Sequence, residues 1–248
     1  MHNLGRTRSS QQQNHLLLTP DTFVRTALPG MKGCTAIVHV SPALGARFTQ
    51  YTAEFEAGGE LGCTFAQRFI FVMEGAVTLE VGEKSNRLCE RGYAYLPEGL
   101  QHRLLATEVS RVAVIEKKYQ ALDSIHPLPL IISSEDAVSS HPLDGDSSLQ
   151  VKCLLPDEMN FDFAVNTMVY QPGSSLSMVE MHVMEHGLMM LEGGGIYRLA
   201  DSWYPVTAGD FIWMGPWCPQ WFGAIGKAPA KYLIYKDWNR HPLASIEQ

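Results

Sequence analysis

The sequence predicts an all-β protein built as a duplicated β domain. Three observations predict it. Hydrophobic residues fall in short runs bounded by Gly, Pro or polar residues, and no segment carries a long apolar 3.6-residue period capped at both ends. Landmarks of the first half also return about 118 residues later in the second, as in a duplicated fold.

The elements run in the same order in both halves. In the first, FIFVMEG (69–75), AVTLEVG (76–82), YAYLP (93–97) and RVAVIEKKY (111–119) each read as a strand closed by a turn. Between Gln120 and Gln150 the chain becomes rich in Pro, Ser and Asp and loses its alternation, which marks a connection. Strand-like runs resume with DFAVNTMVY (162–170), LMMLEGGG (188–195), DFIWMG (210–215) and KYLIYKDW (231–238). The expected division is a first β domain over 1–125, a linker over 126–149 and a second β domain over 150–248. Gly75 and Gly193 are 118 apart, as are His102 and Gln220 and also Lys118 and Lys236; Gly92 and Gly209 are 117 apart.

With 248 residues, 46% hydrophobic and 18% charged, the chain can bury a sizeable core and is not a disordered or fibrous sequence. A net charge of −7 with no concentrated Lys/Arg face excludes a nucleic-acid partner. No apolar run approaches the ~20 residues of a spanning helix, and MHNLGRTRSSQQQNH lacks the apolar core of a secretory signal. A soluble cytoplasmic protein without a membrane partner is expected. Cys34, Cys63, Cys89, Cys153 and Cys218 form no CxxC pair and are odd in number, so they read as small buried hydrophobes.

Chemistry concentrates in Gly173-x6-Glu180-x-His182-x3-His186-x6-Gly193, followed by Gly209-x5-Gly215-x4-Gln220. On a strand, Glu180 and His182 project to one face, and a bend brings His186 beside them. A Gly/Pro turn then delivers Gln220 as a fourth donor. Two imidazoles, a carboxylate and an amide suit a divalent ion such as Mn, Fe or Zn, and three polar groups buried among apolar neighbours need such compensation. Counting back from Gly75 in the same way gives Gly62, Thr64 and Arg68, with only His102 retained; the first copy is expected to have lost its metal. Tyr197 opens the strand after the metal strand, while Tyr232 and Lys236 share one face of the last strand.

These spacings resemble the two cupin motifs, so the chain looks like a bicupin, and the resemblance implies two tandem cupin domains, each a β-barrel of the jelly-roll kind. Over about residues 16–240 the likeness is narrower: LLLTPDTFVR, FVMEGAVTLEVG, VEMHVMEHG, GDFIWMG and YLIYKDWNR are similar to the (S)-ureidoglycine aminohydrolase family of purine (allantoin) degradation. The resemblance implies a manganese ion, with Fe2+ or Zn2+ as alternatives, on Glu180, His182, His186 and Gln220. It implies loss of ammonia from (S)-ureidoglycine, with Glu180 and Lys236 as catalytic residues and Tyr197, Tyr232 and Lys236 binding the small-molecule substrate. Self-association into a homo-oligomer is a further expectation. Two other readings stay open: an iron-dependent dioxygenase, and a non-catalytic metabolite-binding cupin. A third is the string His182-x-x-Glu185-His186, a zinc-peptidase signature that requires a helix, with Glu185 as base.

Overall fold

The structure is a computed structural model and describes residues 6–121 and 128–237. Among the described residues there is no α-helix; strands are joined by turns and by three 3-10 turns, Pro20–Thr22, Pro42–Leu44 and Glu135–Ala137. The chain forms two β-barrel units.

The first unit spans Val24–Ala137. Its longest strand, Thr49–Leu61, pairs along its first half with Ser110–Lys117 and at its far end with Arg103–Ala106, so one bent strand serves both walls. Gln67–Glu74 lies between Ser110–Lys117 and Gly92–Leu96, while Ala76–Val81 lies between Arg103–Ala106 and Lys84–Cys89. Alternate residues face inward, among them Tyr51, Ala53, Phe55, Ile70, Val72, Val112 and Val114, which form the core.

The second unit combines the described residues through Phe23 with those from Val138. One sheet orders its strands Ser10–Gln11, His15–Leu18, Phe211–Met214, His186–Glu192, Ala230–Lys236, Ala164–Tyr170, Asp146–Cys153 and His141–Leu143. The other holds Ser202–Thr207, Gly194–Leu199 and Gln220–Ala224. A core including Met190, Tyr197, Leu199, Ile212, Phe222 and Tyr232 draws on both sheets.

The repeat is real at the level of strands. Gly194–Leu199 and Ser202–Thr207 each begin 118 residues after their counterparts Ala76–Val81 and Lys84–Cys89, and they make the same pairings. Gly75 and Gly193 explain why glycine marks it. Both have positive φ (75° and 63°), and an added Cβ would stand 2.6 Å from the Val109 carbonyl oxygen in one copy and 2.4 Å from the Pro229 oxygen in the other.

Three expectations are corrected. The opening residues belong to the second barrel rather than the first: His15–Leu18 pairs with Phe211–Met214, and Arg8 makes a bidentate ion pair with the fully buried Asp210. The polar connection is no plain linker, since Ile131–Ser134 adds to the first barrel while His141–Leu143 and Asp146–Cys153 add to the second. Of the cysteines, all free, only Cys34 and Cys218 are buried; Cys63, Cys89 and Cys153 are exposed.

Candidate functional site

The two barrels differ where the site lies. Thr49–Leu61 runs unbroken, whereas its counterpart in the second barrel stops at Tyr170, and residues 171–185 form no regular strand, meeting the neighbouring sheet through the isolated bridges Ser175↔Gly223 and Glu180↔Gln220 and through single bonds such as Leu176 N–H to the Phe222 carbonyl (2.9 Å). Glu180 and His182 are therefore not neighbours on a regular strand, contrary to the sequence expectation. Glu180 is pinned by its backbone instead: its N–H donates to the Gln220 carbonyl (2.8 Å) and its carbonyl accepts from the Gln220 N–H (2.9 Å). The His182 carbonyl accepts from the Trp217 N–H (2.8 Å), and Trp217 adopts a positive φ of 63° to present it. His186 opens the next strand, between Met214 and Lys236.

All seven nominated residues, Glu180, His182, His186, Tyr197, Gln220, Tyr232 and Lys236, line one cavity of about 230 Å³. Gln220 Nε2 donates to His182 Nε2 (2.7 Å), and Gln220 Oε1 accepts from the Tyr197 hydroxyl (3.3 Å). A Glu180 carboxylate oxygen lies 3.9 Å from His182 Nε2, and the two imidazole rings stand edge to face with centroids 5.1 Å apart. Burial pushes His186 down to about 3, helped by His182 and Lys236, and lowers His182 less. Both are neutral imidazoles at neutral pH, which is the form that offers a lone pair. Burial raises the Glu180 carboxyl, partly offset by Lys236, and it lowers the Lys236 ammonium, partly offset by Cys153, Glu180 and Asp157.

Among the described residues, no three His, Cys, Asp or Glu side chains stand close enough together to hold a metal ion as they are placed. The donor chemistry does fit a divalent cation. Neither nitrogen of the buried His186 ring makes a hydrogen bond of normal geometry, the Tyr235 backbone acting on it only weakly. An orphaned imidazole at 3% exposure, facing a carboxylate, a second imidazole and an amide, carries a desolvation cost that a cation would offset.

The first barrel supplies its own cation. At the position matching His186, the Arg68 guanidinium donates through Nη1 to the Gly62 carbonyl (2.7 Å) and to His102 Nε2 (2.7 Å), which are the counterparts of Glu180 and Gln220. Its Nε and Nη2 reach Glu116 Oε1 at 2.9 and 2.7 Å. Strand register makes Glu116, not Lys118, the counterpart of Lys236: Arg68 faces Glu116 as His186 faces Lys236. The 118-residue match of the two lysines follows residue type and misses a two-residue slip in register.

Residues 182–186 are not helical, and Glu185 is fully buried outside the cavity lining, its carboxylate accepting from Trp213 Nε1 (3.2 Å). The helical zinc reading falls. Trp203, Trp217, Met178 and Met181 are exposed, and Tyr197 sits mid-strand rather than at its start. Trp238 lies outside the described residues. Sequence reading missed Asn166 and Tyr170 on the strand Ala164–Tyr170. Asn166 lines the cavity, and the Tyr170 hydroxyl bonds that of Tyr232 (2.8 Å). Their signal is a polar residue at an even, inward position in the apolar run DFAVNTMVY.

Comparison with known proteins agrees with this architecture. A profile described as a cupin domain matches residues 166–235. A protein of Arabidopsis thaliana named (S)-ureidoglycine aminohydrolase is 41% identical over 242 residues, covering 96% of this chain and 80% of that protein. A protein of the same name from Escherichia coli strain K12 is 31% identical, covering 92% of this chain and 89% of that one. The crystal structure of protein Ylba from E. coli superposes with a TM-score of 0.84 at 29% identity, covering 96% and 97% of the two chains.

Proposed function

The chain belongs to the (S)-ureidoglycine aminohydrolase family, and from that premise we propose that it hydrolyses (S)-ureidoglycine to (S)-ureidoglycolate and ammonia. The observation that carries the reading is the single cavity shared by all four metal-ligand candidates and all three substrate-binding candidates. Water supplies the oxygen that replaces the amine; the C–N bond breaks as the C–O bond forms, and one proton passes from water to the departing nitrogen.

Glu180, His182, His186 and Gln220 would hold a divalent ion, proposed as manganese, whose chemistry is that of a Lewis acid and template. The remaining work falls to the chain. Glu180, whose side chain lines the cavity, is suited to move the proton between water and the amine. Lys236 supplies positive charge for the substrate carboxylate, and Tyr197 and Tyr232 present hydroxyls to the ureido group. Tyr232 is held by Tyr170 and Tyr197 by Gln220, so both hydroxyls are oriented before substrate arrives. Apolar walls from Met168, Leu176 and Ile234 limit water. A role in purine breakdown and self-association belong to the same proposal.

The test is to incubate manganese-loaded protein with freshly made ureidoglycine and follow both ammonia and the chirality of the product. Enantioselective release well above the spontaneous rate is expected; release at that rate overturns the reading.

A further inference from the structure

Asn166 is a buried polar residue in a mostly apolar run, and its side chain has one sensible orientation. With its oxygen toward Lys236 Nζ (3.1 Å) and its nitrogen toward the Val165 carbonyl (2.9 Å), both contacts are hydrogen bonds. In the opposite orientation an NH2 would face an ammonium and an oxygen would face a carbonyl. The residue is 4% exposed, lines the cavity beside Lys236, and stands on the strand that pairs with Ala230–Lys236, opposite Ile234.

We propose that Asn166 is a positioning residue for Lys236, its carboxamide oxygen fixing the ammonium so that the positive charge is presented to the carboxylate of an anionic substrate. This rests on the reading of Lys236 given above. A lysine side chain carries four rotatable bonds and loses much conformational entropy on being held. A neutral acceptor beside it in the cavity wall restricts it without adding negative charge of its own. An acidic residue here would hold the lysine equally well and neutralise it, so the amide is the chemistry that positioning an anion-binding cation calls for.

The experiment compares wild type with N166A and N166D as full chains. In the manganese-loaded protein, N166D raises KM about ten-fold or more with a much smaller change in kcat, because its carboxylate competes with the substrate's; N166A raises KM less. In metal-free protein, reductive methylation of Lys236 is followed by peptide mass spectrometry. N166A accelerates it several-fold, while N166D, which keeps an acceptor, leaves it slow. Thermal melts identify any variant that fails to fold. Unchanged KM in both variants, or methylation in N166A no faster than in wild type, overturns the proposal. If the wild type releases no ammonia from ureidoglycine, the assigned substrate fails, and the methylation comparison still decides the Asn166–Lys236 pairing.

Discussion

Replacing Arg68 by Met removes the cation around which the first barrel is knitted. The guanidinium is 3% exposed and makes four contacts below 3 Å, two to Glu116, one to the Gly62 carbonyl and one to His102. Removing one partner of a buried charge pair typically costs ~3–5 kcal/mol. Two features place this case at the low end. The Glu116 side chain is 20% exposed, so water can reach it, and the Tyr51 hydroxyl still donates to it at 2.8 Å. The expected loss is ~3 kcal/mol, or roughly a 10 °C fall in the melting temperature of a unit this size. The four tryptophans among the described residues, Trp203, Trp213, Trp217 and Trp221, all belong to the second barrel, so tryptophan fluorescence is a poor probe of the first. Amide hydrogen exchange of Gln67–Glu74 and Ser110–Lys117 is the appropriate measurement. The double variant R68M/E116L, which removes both charges, should recover most of the loss. An R68M cost below ~1 kcal/mol, or a double variant no more stable than R68M, would refute the idea that Arg68 takes the place of a metal.

Other predictions follow from the same geometry. His186→Ala should weaken manganese binding beyond the ~10–100-fold cost of outer contacts, measured by metal titration with elemental analysis; undiminished affinity would remove His186 from the ligand set. Arg8→Met leaves the fully buried Asp210 without its bidentate partner and should lower the urea midpoint of the tryptophan-reported transition by ~2–4 kcal/mol equivalent, with Asp210→Asn less severe; no shift would mean the N-terminal segment is dispensable. Acid should destabilise the first barrel. Burial pushes His39 to about 3 and His102 to about 4, so both stay neutral when folded while the unfolded chain takes up their protons below pH ~6.5. Stability is full above that pH and falls toward pH 4 by up to ~1.4 kcal/mol per pH unit for each histidine. First-barrel exchange protection between pH 7 and 4.5 measures it, His39→Gln should flatten the slope, and a pH-independent stability would contradict it.

The barrels and their repeat were legible because they rest on strong local physics. Alternating runs form strands, and Gly75 and Gly193 stand where any side chain would strike a backbone carbonyl. The donor residues were legible as types at fixed spacing, although Glu180 is held by a lone bridge rather than by the strand that the alternation suggested. What stayed hidden depends on register or on distant partners. Glu116 answers Lys236 only because two strands pair as they do. Asn166 and Tyr170 look like interruptions of an apolar run until Lys236 and Tyr232 arrive beside them. Arg8 is an ordinary exposed-looking arginine until Asp210, 202 residues later, is placed against it.

The attachment of His15–Leu18 to Phe211–Met214 has a consequence for how the protein is made. On the ribosome, those early residues are synthesised nearly two hundred positions ahead of the strand that receives them. The first barrel emerges whole in between, as an insertion spliced into its neighbour's sheet. The barrel holding the candidate site is thus the later of the two to finish, and a tag fused at the amino end loads that barrel.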